Sequence, residues 1–420
     1  LEQLQSYTTS RLEVILARYG KKIIGWDEIL EGGVTPSATI MSWRGEKGGI
    51  EAAQIGNNVI MTPNTKGFYL DYYQGDAKVD EVCFGSKTYL ADIYQYDPIP
   101  SVIREAGLER YIMGVQANLW SEYVYSDDRL DRALYPRVLA LAEAGWSDPS
   151  RRDFSDFCRR MAGSLVRLEL KGADYHTPLV EQVGGSFDRV AFVDSLVLDL
   201  TTSRPLPVVY TVDGSEPTLN SARYESPRTF TQSVTLKVAS ISESSRVGRV
   251  RSIELVKEPY RPSQKVEVDT LTSGLRFYRK EGAYLSVEEL DGVKWDSIST
   301  ISNLSQMTGR AFTTFDREVE RFATKAVGYL NIPEDGVYLF SSENERVVVD
   351  GLTIVDNHSE VKRHSRADGS ISLAKGMHPI EVYFINDYIG GIPANWMGSA
   401  VRCRKLGAQE GFKPLTDLWF

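Results

Sequence analysis

The sequence predicts a multidomain protein in which half of a (β/α)8 TIM barrel is followed by two all-β sandwich domains. Up to about residue 175, short apolar strands that end in aromatic or acidic residues alternate with helical segments. This βα alternation is typical of a parallel barrel. Beyond about residue 177 the pattern changes to short runs of alternating polarity between turn residues, which favours antiparallel sheets. We expect domains at residues 1–175, 176–258 and 259–420.

The helices of the first region follow from apolar residues at helical spacing. Residues 2–19 show this spacing and Gly20 ends it, while a second helix is expected at residues 50–56. Residues 70–100 are rich in Tyr, Asp and Gly and show no sustained period, so we expect a long loop over the mouth of a site. Further helices are predicted at residues 101–106, 131–146 and 154–170.

The apolar strands of this region are expected to end at Trp26, Trp43, about Pro63 and Trp120. A closed barrel needs about eight strands, so these strands account for half of one. The last strand reads as a fully covered parallel strand that continues through Gly114–Glu122. On extended backbone its Trp120 and Glu122 would share a face, as a site that stacks on a sugar ring and binds its hydroxyls requires.

Charge and composition exclude several classes of protein. A net charge of −9 argues against nucleic acid or an anionic membrane as the main partner. No apolar run is long enough to span a bilayer. The 3 cysteines lie far apart and the 4 histidines are not clustered, so we expect free buried thiols, no metal site and no cofactor. Leu1 leads straight into a helical pattern, from which we expect a processed N-terminus.

Five motifs occur in a fixed order along the first region. They are G-W-D-E at 25–28, M-S-W-R-G at 41–45, Y-L-D-Y-Y at 69–73, Q-A-N-L-W-S-E at 116–122 and Y-P-R-V-L-A-L-A-E at 135–143. Together they resemble the second half of a family 20 β-N-acetylhexosaminidase, over roughly residues 1–165. The resemblance implies that residues 1–175 are the C-terminal half of the barrel, strands 5 to 8.

The resemblance also implies an activity. Family members remove terminal β-linked N-acetylglucosamine or N-acetylgalactosamine from glycans by a substrate-assisted retaining mechanism. The 2-acetamido oxygen of the substrate attacks the anomeric carbon, a glutamic acid protonates the leaving oxygen, and an adjacent aspartate orients the acetamide. A periplasmic, surface or secreted location is implied as well, whereas the oligomeric state stays open.

Six residues match the sugar-binding residues of that family. The tryptophans of the set would box the N-acetyl methyl group and stack on the ring, the tyrosine would donate to the acetamide oxygen in catalysis, and the acids would accept from sugar hydroxyls. The set is Trp26, Trp43, Tyr69, Asp71, Trp120 and Glu122.

The catalytic Asp-Glu pair of the family normally lies in an H-x-G-G-D-E motif, which does not occur in this sequence. Asp27 and Glu28 are adjacent acids after a strand, but neighbours on extended backbone point in opposite directions, so we expect helix-cap or salt-bridge roles for them. Arg44 and Glu143 are expected to be structural, pairing under the barrel. We therefore predict that the chain alone has no hydrolytic activity.

Two alternatives remain open. The chain could be a non-catalytic glycan-binding protein on a decayed hexosaminidase scaffold. It could also be a retaining glycosidase with Asp71 and Glu122 as acid and nucleophile, which requires their carboxyl groups to stand about 5 Å apart.

The two C-terminal regions also carry resemblances. Strands are expected at residues 187–200, 207–212, 229–241 and 251–256. The sequence of residues 209–218, V-Y-T-V-D-G-S-E-P-T, is similar to the immunoglobulin-like sandwich that follows the barrel in many hexosaminidases and chitobiases. The resemblance implies that this domain packs against the barrel.

After a proline-bearing linker at 258–263, residues 322–386 resemble a β-sandwich of the protective-antigen type. The resemblance rests on segments 328–333, 335–340, 348–351 and 373–380. It implies possible carbohydrate binding, although no cluster of acids that would hold calcium is present in the sequence.

Overall fold

The computed structural model describes residues 1–77, 80–83, 87–185, 187–267, 271–308, 320–357, 367–389, 392–393 and 398–420. The chain forms two compact units, which both consist of several segments. The first unit contains residues 1–75, 83–178 and 203–206, and the second contains residues 76–82, 179–202 and 207–420. The protein is mostly β with some helices, and the α-helices of the described residues lie in the first unit.

The first unit alternates strands and helices. Its helices are α1 Glu2–Ala17, α2 Lys47–Gln54, α3 Leu90–Gln95, α4 Ser101–Glu105, α5 Asp127–Leu134, α6 Arg137–Trp146 and α7 Phe154–Leu170. Its strands are β1 Ile24–Trp26, β2 Thr39–Ser42, β3 Asn58–Met61 and β4 Ile112–Val115. The predicted helices at residues 2–19, 50–56, 101–106 and 154–170 are thus confirmed.

The four strands form a parallel sheet in the order β1-β2-β3-β4. In its inner strands, Ile40, Val59 and Met61 are fully buried under the helices, whereas Met41 and Ile60 are half-buried. Parallel sheets favour apolar residues because both faces are usually covered; here burial is complete on the face that Val59 and Met61 share and partial on the face of Ile60. Because the strands are parallel, the chain leaves all of them at the same edge of the sheet.

The prediction of a fully covered strand through Gly114–Glu122 is wrong in two respects. The strand β4 ends at Val115, and Met113 is 63% exposed. In the described part of the chain β4 pairs with β3 alone, so one of its edges and part of its surface face solvent. Beyond Val115 the pairing continues through a hydrogen bond from the Gln116 N–H to the Met61 oxygen and through an isolated bridge between Asn118 and Tyr69.

Two predicted segments of the first unit are also corrected. The single helix expected at 131–146 is divided into α5 and α6, because Pro136 has no backbone N–H and forces Tyr135 out of helical geometry. The loop expected at 70–100 contains α3, whose first turn is capped by a hydrogen bond of 2.8 Å from the Tyr89 N–H to Asp92 Oδ2. Residues 78–79 and 84–86 of that loop lie outside the described residues.

Besides two short 3-10 helices, Glu288–Leu290 and Leu304–Thr308, the described elements of the second unit are strands. They are β5 Glu181–Gln182, β6 Arg189–Phe192, β7 Leu196–Leu198, β8 Leu200–Thr201, β9 Val208–Thr211, β10 Ala222–Tyr224, β11 Arg228–Phe230, β12 Val234–Ser240, β13 Arg251–Lys257, β14 Leu275–Glu281, β15 Ser297–Ile301, β16 Phe322–Ile332, β17 Gly336–Ser342, β18 Arg346–Val349, β19 Leu352–Asp356, β20 Ala367–Leu373, β21 Gly376–Asn386, β22 Tyr388–Ile389, β23 Ile392–Pro393, β24 Val401–Lys405, β25 Lys413–Pro414 and β26 Leu418–Trp419. Each segment predicted to be extended contains at least one of them.

Most of these strands belong to three larger sheets. Residues 189–257 form a five-stranded sheet in the order β10-β9-β12-β13-β6. Farther along the chain, one sheet has the order β15-β14-β16-β21-β18-β19 with β26 beside β16, and another has the order β20-β17-β24-β25. A buried apolar cluster that includes Phe322, Phe340 and Ile380 lies between the last two sheets. Shorter pairs are β11-β7, β22-β23 and β5-β8.

Two other expectations concern cysteines and membranes. Cys83, Cys158 and Cys403 form no disulfide bond; the first two are buried and the third is half-buried. Among the described residues, no helix combines the length and the apolar character that crossing a membrane requires.

Candidate active site

A pocket of about 370 Å³ lies in the first unit at the edge where the parallel strands end. All six residues that the sequence predicts as sugar-binding line it, and one further acid, Glu28, lines it with them. Ligand pockets commonly have volumes of about 300 to 1,000 Å³, so the pocket has the size of a small-molecule site.

The strand ends explain how residues far apart in the sequence meet. Trp26 is the last residue of β1 and Trp43 directly follows β2. Tyr69 lies beyond the short 3-10 turn after β3, and its segment pairs with the segment after β4 through the bridge to Asn118. That pairing brings Tyr69 beside Trp120. In parallel α/β folds, functional side chains gather at this carboxyl edge.

Aromatic rings form a continuous wall of the pocket. Trp43 stacks on Tyr69 with ring centroids 6.1 Å apart and 13° between the planes. Tyr69 meets Trp120 edge to face at 6.2 Å, and Trp120 lies 6.0 Å from Trp26. Such a wall supplies apolar faces for a sugar ring or an acetamide methyl group.

The hydroxyl of Tyr69 keeps its proton at neutral pH. Burial raises the pKa of Tyr69 to about 12, which outweighs the opposite effect of a hydrogen bond with the Trp120 side chain. Tyr69 can therefore donate a hydrogen bond to a ligand oxygen, as the resemblance implies.

Asp71 is an almost completely buried carboxyl group, 6% exposed, that faces the same pocket. Its Oδ1 accepts a long hydrogen bond of 3.4 Å from the backbone N–H of Trp120. Burial raises the pKa of Asp71 to about 6, the charge of Glu122 contributes to the increase, and the N–H of Trp120 and the charge of Arg137 oppose it. Asp71 is thus the pocket acid whose charge depends on pH near neutrality.

The expectation that Asp27 and Glu28 lie on extended backbone is wrong. They begin a 3-10 helix, Asp27–Leu30, in which successive side chains are turned by about 120°. Asp27 is buried, and its Oδ1 forms the predicted salt bridge, 2.6 Å from Nε of Arg44. Glu28 instead faces the pocket, where both of its oxygens lie 2.9 Å from Nε1 of Trp43. A prediction of a 3-10 turn directly after β1 would have identified Glu28 as a residue of the pocket.

Arg44 and Glu143 both form ion pairs, but not with each other. Arg44 pairs with Asp27 and Glu31, whereas Glu143 pairs with Arg160 on the neighbouring helix at 2.5 Å. Their predicted structural role is consistent with these contacts, and the predicted pairing between them is wrong.

Two other observations bear on what the first unit can bind. A larger cavity of about 690 Å³ is lined by some residues of the segments 46–50, 64–67 and 87–102, among them Glu46, Lys66 and Tyr96, and by none of the six predicted residues. Within the described ranges, no group of His, Cys, Asp and Glu side chains has the arrangement of a metal site.

Comparison with protein families assigns the three regions. Residues 1–149 match the family described as Glycosyl hydrolase family 20, catalytic domain. Residues 192–252 match the Chitobiase/beta-hexosaminidase C-terminal domain, and residues 275–407 match the PA14 domain.

Individual relatives cover different shares of the chain. A beta-hexosaminidase of Porphyromonas gingivalis is 44% identical over 416 residues, which are 99% of this chain and 53% of the relative. A beta-hexosaminidase of Vibrio furnissii is 34% identical over 146 residues, 34% of this chain and 24% of the relative. The chain therefore spans about half the length of the first relative and less of the second.

A solved structure is also similar to part of the chain. It is a family 20 exo-β-N-acetylglucosaminidase from Vibrio harveyi in complex with N-acetylglucosamine. The similarity covers 42% of this chain and 28% of that one, at 29% identity and a TM-score of 0.38.

Proposed function

We propose that this chain, whose residues 1–149 match the catalytic domain of glycosyl hydrolase family 20, forms the sugar-binding part of an exo-β-N-acetylhexosaminidase. Its ligands would be glycans with a terminal β-linked N-acetylglucosamine or N-acetylgalactosamine. The observation that carries the proposal is the convergence of all six predicted residues on one pocket. The β-hexosaminidase relative that is similar over 99% of the chain supports the same assignment.

The chemistry of the pocket suits an N-acetylated sugar. The stacked Trp43 and Tyr69 offer an apolar face to the acetamide methyl group, and the protonated Tyr69 hydroxyl offers a donor to its oxygen. Asp71 and Glu122 offer carboxylate acceptors to hydroxyl groups, which form stronger hydrogen bonds than neutral acceptors. In a substrate-assisted reaction these contacts would hold the acetamide oxygen near the anomeric carbon.

The chain by itself is proposed to bind the sugar without cleaving it. The H-x-G-G-D-E motif that carries the general acid and its aspartate in the family does not occur in the 420 residues. Without that pair, no glutamic acid protonates the leaving oxygen and no aspartate orients the acetamide group.

The proposal extends to the domains and to the location. Residues 1–175 would be strands 5 to 8 of a TIM barrel, residues 176–258 an immunoglobulin-like sandwich, and residues 259–420 a linker with a protective-antigen-like sandwich, a candidate carbohydrate-binding domain. A periplasmic, surface or secreted location would fit glycan substrates.

Calorimetric titration of the 420-residue protein with N-acetylglucosamine tests the function, with glucose as the ligand that lacks the acetamide. We expect binding that prefers N-acetylglucosamine, and we expect its loss in Trp43→Ala but not in Trp146→Ala, because Trp146 is 92% exposed and does not line the pocket. Equal affinity for both sugars would overturn the assignment. Turnover of a chromogenic N-acetylglucosaminide would overturn the prediction that the chain alone is inactive.

A further inference from the structure

Glu28 is the pocket-lining acid that the proposed function leaves without a role. Its two carboxylate oxygens are equidistant from the indole nitrogen of Trp43, at 2.9 Å. A single indole N–H is thus shared by both oxygens of a carboxylate. Hydrogen bonds to an ionised acceptor are stronger than neutral ones, so this contact restrains the indole.

The same short helix also holds the backbone of Trp43. The Oδ2 atom of Asp27 accepts hydrogen bonds from the backbone N–H groups of Trp43 and Arg44, at 3.1 and 3.2 Å. Asp27 therefore restrains the backbone of Trp43, and Glu28 restrains the orientation of its indole ring. The 120° divergence of neighbouring side chains on the 3-10 turn allows two adjacent acids to reach both ends of one residue.

The orientation of the Trp43 ring affects the rest of the pocket. Its plane lies within 13° of the Tyr69 ring, and Tyr69 in turn contacts Trp120 edge to face. A rotated indole would lose the stacking on Tyr69 and would occupy a different part of the cavity. It would also present its polar N–H instead of its face to the ligand.

We propose that Glu28 is a positioning residue, whose carboxylate holds the indole of Trp43 flat against Tyr69 and so shapes the wall that receives the acetamide group. The inference rests on the proposed function for the identity of the ligand. The hydrogen bond itself, and its effect on the indole, can be tested without any ligand.

The first test is nuclear magnetic resonance of the indole N–H groups in the 420-residue protein, with Trp43→Phe to assign the resonance of Trp43. We expect a slowly exchanging indole proton that shifts and exchanges faster in Glu28→Leu. Glu28→Gln keeps an acceptor and should preserve the protection. Glu31→Gln is the matched control, since Glu31 lies one residue after the same helix and pairs with Arg44.

The second test is the affinity of these variants for N-acetylglucosamine. We expect Glu28→Leu to weaken binding roughly tenfold, Glu28→Gln to stay within about threefold of wild type, and the Glu28→Leu/Trp43→Phe double variant to bind no worse than Trp43→Phe. Unchanged affinity or an unchanged indole resonance in Glu28→Leu overturns the proposal. Equal losses in Glu28→Gln and Glu28→Leu, with the indole protected in the former, overturn it in favour of direct ligand contact.

A wild-type protein that binds neither N-acetylglucosamine nor N-acetylgalactosamine would overturn the proposed function instead. The indole resonance then decides alone whether Glu28 holds Trp43.

Discussion

The Nη1 atom of Arg137 donates a hydrogen bond of 3.0 Å to the backbone oxygen of Tyr72. Its Nη2 atom donates to the backbone oxygens of Leu70 and Ala133. Arg137 is 1% exposed, so these hydrogen bonds are made away from bulk water. The guanidinium group therefore holds the backbone on both sides of Asp71, and its charge favours the ionised form of that carboxyl group.

Replacing Arg137 with Met should lower the free energy of unfolding by about 3 kcal/mol or more, because buried backbone oxygens lose charged donors. Urea denaturation measures this loss. Arg159→Met is the matched control on an exposed helix face and should change stability by less than about 0.5 kcal/mol. Equal effects of the two substitutions would mean that the buried hydrogen bonds contribute nothing to stability.

Asp71→Asn should make the protein more stable at neutral pH. Because burial raises the pKa of Asp71 from 3.8 to about 6, the folded state binds the proton more tightly than the unfolded state. The ionised group therefore costs stability, fully above about pH 6 and not at all below about pH 4. The gain at pH 7.5 should approach 3 kcal/mol, since one pKa unit corresponds to about 1.4 kcal/mol.

The test is thermal or urea unfolding of wild type and Asp71→Asn between pH 4 and 8, where the difference should shrink as the pH falls. Asp127→Asn, at an exposed position in the first turn of α5, should show no such gain. If Asp71 binds hydroxyl groups as proposed, the same variant should lose affinity for N-acetylglucosamine while it gains stability. A stability difference that does not vary with pH would contradict the raised pKa.

The pocket was predictable because its residues follow parallel strands. Trp26 and Trp43 could be located from the apolar runs before them, and parallel strands bring their ends together whatever their separation in sequence. Tyr69 and Asp71 were found through their motif rather than through secondary structure, because the strand β3 ends at Met61.

Other features depend on local geometry that residue patterns do not reveal. Extended backbone would direct Glu28 away from the pocket, because neighbouring side chains on a strand point to opposite faces. The 3-10 helix Asp27–Leu30 instead turns the Glu28 side chain into the pocket. The apolar periodicity across residues 131–146 continues through Pro136, so the pattern alone does not show that the helix is divided there. The exposure of Met113 depends on which strands flank β4 in the sheet. A local sequence pattern does not contain that information.

Glu258 links two separate sheets of the second unit. One of its oxygens lies 2.6 Å from Nη2 of Arg189, and the other accepts from the backbone N–H of Ser372 at 3.1 Å. Arg189 also donates to the backbone oxygen of Ser370 at 2.8 Å. Glu258→Ala should therefore destabilise the second unit by about 1 to 3 kcal/mol, because the half-buried Arg189 loses its carboxylate partner and keeps only the hydrogen bond to Ser370.

Differential scanning calorimetry measures this effect and also shows whether the transition of the second unit broadens or divides. Glu254→Ala is the matched control on β13, the strand that ends one residue before Glu258; the Glu254 side chain is exposed, and its replacement should leave the transition within about 0.5 kcal/mol of wild type. A Glu258→Ala protein that matches this control would show that the linked sheets do not depend on the ion pair.

His378 should make the second unit less stable as the pH rises. It is completely buried, and its ring nitrogens lie 2.7 Å from Asp350 Oδ2 and 2.8 Å from the Ala374 oxygen. Burial by itself lowers the pKa of His378, but these two acceptors outweigh it and raise the pKa above the ordinary 6.5. The stabilisation is therefore complete below pH 6.5 and is lost as the pH rises through the folded-state pKa.

We expect His378→Gln to cost more stability at pH 6 than at pH 9 in urea unfolding followed by a probe in the second unit. Asp350→Asn should reduce the same pH dependence, and Asn is the suitable replacement because it tolerates the left-handed φ of 49° at this position. A loss of equal size at both pH values would mean that His378 stabilises the fold through packing alone and not through its charge.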